Sequence, residues 1–78
     1  MNTKIINVKE NTNLFTDEQL KAIEKAHDLI FYASMCDQYS KEIAETEAAK
    51  KGLKKAIPNM VDFFPDYYGN GDKIEIKL

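Results

Sequence analysis

The chain changes its hydrophobic rhythm several times, and each change marks an element. Thr3 to Val8 (TKIINV) is rich in β-branched residues and is bounded by the polar turn cluster Glu10-Asn11-Thr12-Asn13. It reads as a short strand, with Ile5 and Ile6 directed to opposite faces. The rhythm then shifts to spacings of three and four. Thr16, followed three residues later by Gln19 and with Asp17 and Glu18 in the first turn, predicts a helix start of the capping-box type. Leu14 or Phe15 is placed to staple back onto Leu20. Leu20, Ile23, His27, Ile30, Phe31, Ser34 and Met35 then share one face, with Ala22, Ala26, Leu29, Ala33 and Cys36 largely opposite. The stretch Leu29 to Cys36 (LIFYASMC) is uncharged and is expected to need cover on more than one side.

A second helix is expected from Ser40 as N-cap, after a connection over Cys36 to Tyr39. Its charges run from Glu42, Glu45 and Glu47 to Lys50, Lys51, Lys54 and Lys55, the polarity that a helix dipole favours. Its apolar stripe is narrow: Ile43, Thr46, Ala49 or Lys50, Leu53 and Ile57. Gly52 costs about 1 kcal/mol against alanine, and Pro58 ends the helix at Ile57. No Gly or Pro separates the two segments, so one long bent helix is the alternative. Met60 to Pro65 is expected to form a single turn. Asp66-Tyr67-Tyr68 leads into Gly69-Asn70-Gly71-Asp72, a strong turn signal. Lys73 to Leu78 (KIEIKL) alternates and predicts a half-buried strand with Ile74, Ile76 and Leu78 inward. Its partner is Asp66 to Tyr68, the N-terminal strand, or both. The order β-α-α-β-β predicts an α+β fold: a two-helix hairpin, or one long bent helix, packed on a small antiparallel sheet from the N- and C-terminal strands. Residues 1–78 form a single small domain.

Composition narrows the function. A chain of 78 residues buries only about 60% of its unfolded surface, so the core is thin. One Cys excludes an internal disulfide, and one His with one Cys makes no zinc site without carboxylates. Neither a metal nor a cofactor is expected. The net charge is -2, and the 11 basic residues are all Lys. The absence of Arg lowers the expectation of base-specific DNA binding, so nucleic acid is an unlikely partner class. The Lys, Asn and Ile bias resembles an AT-rich coding sequence, common in low-GC bacteria and their phages. No apolar run approaches the ~20 residues that span a bilayer, and the N-terminus has no signal-peptide pattern. A lone Cys fits a reducing cytoplasm.

Candidate chemistry is sparse. His27 and Cys36 sit nine positions apart on one predicted helix, on opposite faces and roughly 13 Å apart in rise, so they make no dyad. Cys36 reads as a small buried hydrophobe, and His27 as a structural or pH-responsive group. Asp66, Asn70, Asp72 and Glu75 fail the spacing of a calcium loop. Gly69-x-Gly71 precedes a strand and so is no phosphate loop. The paired lysines 50–51 and 54–55 read as a solvated helix end. The distinctive stretch is Asp62 to Asp72 (DFFPDYYGNGD), with four aromatics, acids and no base. One of Phe63 and Phe64 is expected in the core, yet the aromatic content exceeds what a thin core needs.

The segment FTDEQLKAIEKAH, a capped helix carrying His27 ahead of a second helix, is similar to helical-hairpin phage proteins that sequester immune cyclic nucleotides. The likeness covers one turn and one helix. The turn that family carries between its helices is missing, the C-terminal strands have no counterpart, and no binding residue is carried over.

The expectation is a non-enzymatic protein-binding module, an inhibitor or adaptor of a larger partner protein, with a phage or mobile-element origin. Its contact surface is Asp62, Phe63, Phe64, Asp66, Tyr67 and Tyr68. A homodimer is expected through Leu29, Tyr32 and Cys36. Two other functions stand beside it: an oligomeric small-ligand or cyclic-nucleotide sponge using Lys50, Lys54 and His27, and, more weakly, a DNA-binding regulator built on the Lys-rich helix.

Overall fold

The computed structural model describes residues 2–35 and 39–78, with 39–41 as backbone. Strand β1 (Thr3–Asn7) leads through a 3-10 turn (Thr12–Leu14) to helix α1 (Asp17–Ser34). Helix α2 (Tyr39–Ala56) and strands β2 (Met60–Phe64) and β3 (Lys73–Lys77) follow. The class is the α+β expected, and the helical segment is two helices packed on one another. Cys36 lies outside the described residues; α2 already includes Tyr39 and Ser40, so the expected N-cap Ser40 stands inside the helix.

The start of α1 forms as its sequence dictates. Thr16 Oγ1 accepts from the Gln19 N–H at 3.1 Å, and Gln19 Oε1 accepts from the Thr16 N–H at 2.9 Å. Gln19 does more than cap its own helix. Its Nε2 donates to the Ala56 carbonyl at 3.2 Å, which ties the start of α1 to the end of α2 and marks the pair as antiparallel. The buried stripe of α1 is Ile23, Ala26, Ile30 and Ala33, drawn from both faces that the pattern separated. Leu29, Tyr32 and Met35 are 40%, 67% and 68% exposed. Within the described part of the uncharged stretch, Ile30 and Ala33 are buried, Phe31 is half-buried, and Leu29, Tyr32 and Met35 face outward.

The sheet order is β1-β3-β2, antiparallel throughout. The alternating C-terminal strand takes the centre, paired with the N-terminal strand on one side and residues 60–64 on the other. Two expectations fail here. Met60 to Phe64 is a strand and not a turn, and Asp66 to Tyr68 belongs to the loop and not to the sheet. The N-terminal strand, the other partner expected for β3, does pair with it, and the strand at 60–64 carries a register shift between Met60 and Asp62. This bulge puts Met60 and Phe63 on the buried side three residues apart, which does not look like a strand in the sequence. Cross-strand rows Ile6-Ile74-Phe63 and Lys4-Ile76-Met60 follow from the register. Leu78, expected inward, lies beyond β3 and is 75% exposed.

One core results, built from Val8, Ile23, Ala26, Ile30, Ala49, Leu53, Ile57, Met60, Phe63 and Ile74, with Phe15 and Leu20 packed against it. Phe63 and Ile74 are completely buried. Among the described residues no helix is long and apolar enough to cross a membrane.

Candidate functional site

Two carboxylates shape the loop between β2 and β3, and one of them, Asp72, ties it to α1. Asp66 Oδ2 accepts from the N–H groups of Tyr68 and Asn70, at 3.2 and 2.6 Å, which closes the turn on itself. Asp72 Oδ1 accepts from the Asp66 N–H at 2.8 Å and contacts His27 Nδ1 at 2.9 Å. An ionised carboxylate only accepts, so the Nδ1 proton lies on the imidazole and Nε2 is its other polar atom. Further ties come from the β1 side, where Lys9 Nζ donates to the Gly69 carbonyl at 2.8 Å and Asn7 Nδ2 to the Asn70 carbonyl at 3.1 Å. Gly71 is required at this junction. Its φ is +101°, and a Cβ there would lie 2.5 Å from Asn7 Oδ1.

This anchoring brings Tyr67 onto the side of α1. Its ring centroid lies 5.1 Å from Phe31 and 5.6 Å from His27, both edge-on, while Phe31 and His27 stack with planes 7° apart. Beside this aromatic cluster an open groove of about 880 Å³ runs between α1, the end of β1 and the loop. Glu24 and Asp28 line it from α1, and Asp66 and Asp72 from the loop. The ammonium of Lys9, the one lysine along it, is engaged by the Gly69 carbonyl. The groove thus combines aromatic surface with negative charge.

The expected contact residues separate. Asp66 and Tyr67 line the groove, and Tyr68 is 87% exposed on the same loop. Phe63 is core and is corrected from contact residue to structural residue, because a side chain with no exposure meets no partner. Phe64 lies on β2 at 42% exposure. Asp62 is paired with Lys50 Nζ at 2.8 Å and accepts from the Phe63 N–H at 2.8 Å. Burial pushes the Asp62 carboxyl up, but the Lys50 hydrogen bond, the Phe63 N–H and the Lys50 charge outweigh it and hold the group below the usual carboxylate value.

Lys50, His27 and Lys54, the set expected for a ligand sponge, do not share this groove: His27 lines it, and Lys50 is engaged by Asp62. Residues that the sequence did not assign to a binding surface, Glu24, Asp28, Phe31 and Asp72, complete the site. The one signal for three of them was helical spacing, since Glu24, His27, Asp28 and Phe31 fall within two turns of one face. Among the described residues no group of three or more His, Cys, Asp or Glu is arranged to hold a metal ion. Comparison with protein-family models, curated proteins and solved structures finds no match.

Proposed function

We propose that this protein is a non-enzymatic binding module, an inhibitor or adaptor, that engages a basic segment of a partner protein in the groove between α1 and the 65–72 loop. The supporting observation is the lining of that groove. Phe31 and Tyr67 offer aromatic surface beside the carboxylates of Glu24, Asp28 and Asp66. Lysine and arginine side chains suit both features, as cations over ring faces and as ion-pair donors. Tyrosine at such a place gives large contact area at low entropy cost and tolerates a wet edge. His27 acts as a tie within this reading: its Nδ1 holds the loop through Asp72, and the loop carries Tyr67.

The test is a titration of isotope-labelled protein with Lys/Arg-rich peptides and with sequence-matched peptides carrying Glu in place of the basic residues. Amide shifts confined to residues around Glu24, Asp28, Phe31 and Tyr67, seen with the basic peptides alone, are expected. Reversing Glu24 and Asp28 to Lys should abolish them. Shifts that map to another face, or that survive the reversal, would remove the proposal.

A further inference from the structure

The two outer strands of the sheet differ in how their free edges are finished. In the unbroken β1–β3 ladder, the Val8 N–H bonds the Asp72 carbonyl at 2.8 Å, and the Leu78 N–H bonds the Asn2 carbonyl at 3.0 Å. Hydrogen-bonded and non-hydrogen-bonded pairs alternate in an antiparallel ladder. The even-numbered residues of β1 therefore bond β3, and Thr3, Ile5 and Asn7 direct their N–H and C=O groups away from it. Asn7 C=O is met by Asn11 Nδ2 at 2.8 Å. Among the described residues, the outward groups of Thr3 and Ile5 have no partner.

The β2 edge is finished differently. It carries the register shift at Met60/Asp62 and is bracketed by Pro58 and Pro65. The N–H of Phe63, which points away from β3 by the same alternation, is taken by Asp62 Oδ1 at 2.8 Å. Bulges, prolines and charged side chains are the usual means of closing an edge. On β1 the one such device is Lys4, which shares a cross-strand row with Ile76 and Met60. The side chain of Ile5, on the opposite face, is 57% exposed.

We propose that β1 pairs antiparallel with β1 of a second copy, joining two three-stranded sheets into one continuous sheet across a two-fold axis at Ile5. The strand suits itself in that register. Ile5 meets Ile5 of the second copy, Lys4 faces Ile6, and Thr3 faces Asn7, so no lysine stands opposite a lysine. The three residues with outward backbone groups are the ones that this pairing engages, with Ile5 N–H and C=O exchanging bonds at the centre. β-branched pairs at directly opposed positions stabilise such ladders.

The test reads mass against concentration, by sedimentation from about 1 µM to several hundred µM, a span suited to a dimer of ordinary strength. A concentration-dependent dimer is expected. Ile5→Pro deletes an N–H that points away from β3, so the β1–β3 ladder keeps its bonds. The variant loses the central pair of intermolecular bonds, a weakening of roughly thirtyfold. Leu29→Lys, on the exposed side of α1, should dimerise as wild type does. A monomeric wild type, a dissociation constant left unchanged by Ile5→Pro, or a dimer dissolved by Leu29→Lys would each overturn the proposal. Hydrogen exchange on the wild type decides the matter without any variant: a slow Ile5 amide at dimer-forming concentration supports the pairing, and a fast one refutes it.

Discussion

Replacing Gln19 by Glu separates the two tasks of this side chain. By local rules the substitution is neutral or favourable, because Glu completes a capping box at the N3 position as Gln does and a carboxylate suits the first turn of a helix. In this fold it should destabilise. Gln19 Nε2 donates to the Ala56 carbonyl at the C-terminal end of α2, and a carboxylate has no hydrogen to give. The lost bond costs about 0.5–1.5 kcal/mol. A negative charge beside the negative end of the α2 dipole adds about 0.3–1 kcal/mol, and the gain at the start of α1 is of similar size, so those two offset. The net loss is about 1 kcal/mol, which lowers the midpoint of a domain this size by about 4–8 °C. Thermal unfolding followed by circular dichroism reads it directly. The loss should shrink as pH falls through ~4, where the new carboxyl takes up a proton and can donate again. A Gln19→Glu variant as stable as wild type at neutral pH would show that the Ala56 contact contributes nothing to stability.

Two further predictions concern stability. Gly71→Ala should cost about 1–3 kcal/mol, because φ is +101° and the new Cβ meets Asn7 and Lys9. Gly52→Ala, mid-helix with nothing within 4 Å of the added Cβ, should instead stabilise by about 0.5–1 kcal/mol; urea unfolding of both variants checks the opposite signs. Because the folded Asp62 carboxyl is held below its ordinary value of 3.8, its contribution is present above that value and is lost as pH falls through the lower folded one. Asp62→Asn should flatten the acid limb of stability against pH, by less than ~1 kcal/mol since the side chain is 38% exposed. An unchanged acid limb would count against the Lys50 pairing.

Local signals in this sequence were legible where the physics is local. Thr16 and Gln19 announce a helix start, Pro58 a helix end, Gly69-Asn70-Gly71 a turn and KIEIKL a strand, and all four stand in the fold. The strand at 60–64 was hidden by its own irregularity. The bulge moves the buried positions to Met60 and Phe63, and it also decides which of two adjacent phenylalanines enters the core. The groove was hidden by distance along the chain. His27 and Asp72 are 45 positions apart, and only the folded loop brings Tyr67 onto Phe31. The acidic aromatic stretch is continuous in sequence, which shows that one of its phenylalanines belongs inside but not where the division falls. The strand buries part of it, and the loop presents the rest.

The central place of β3 has a consequence for how the chain is made. Thr3 pairs with Lys77, so β1 leaves the ribosome well before its sheet partner β3 is made. Chains emerge N-terminus first, and pairing across so long a separation is slow. The helices can fold on one another while β1 and β2 still lack any ladder, since neither strand pairs with the other. Ile5, Ile6 and Phe63 pass through that interval without their sheet. A premature stop between Phe64 and Lys73 would remove both ladders at once, leaving a helical hairpin with two orphaned strands for quality control to find.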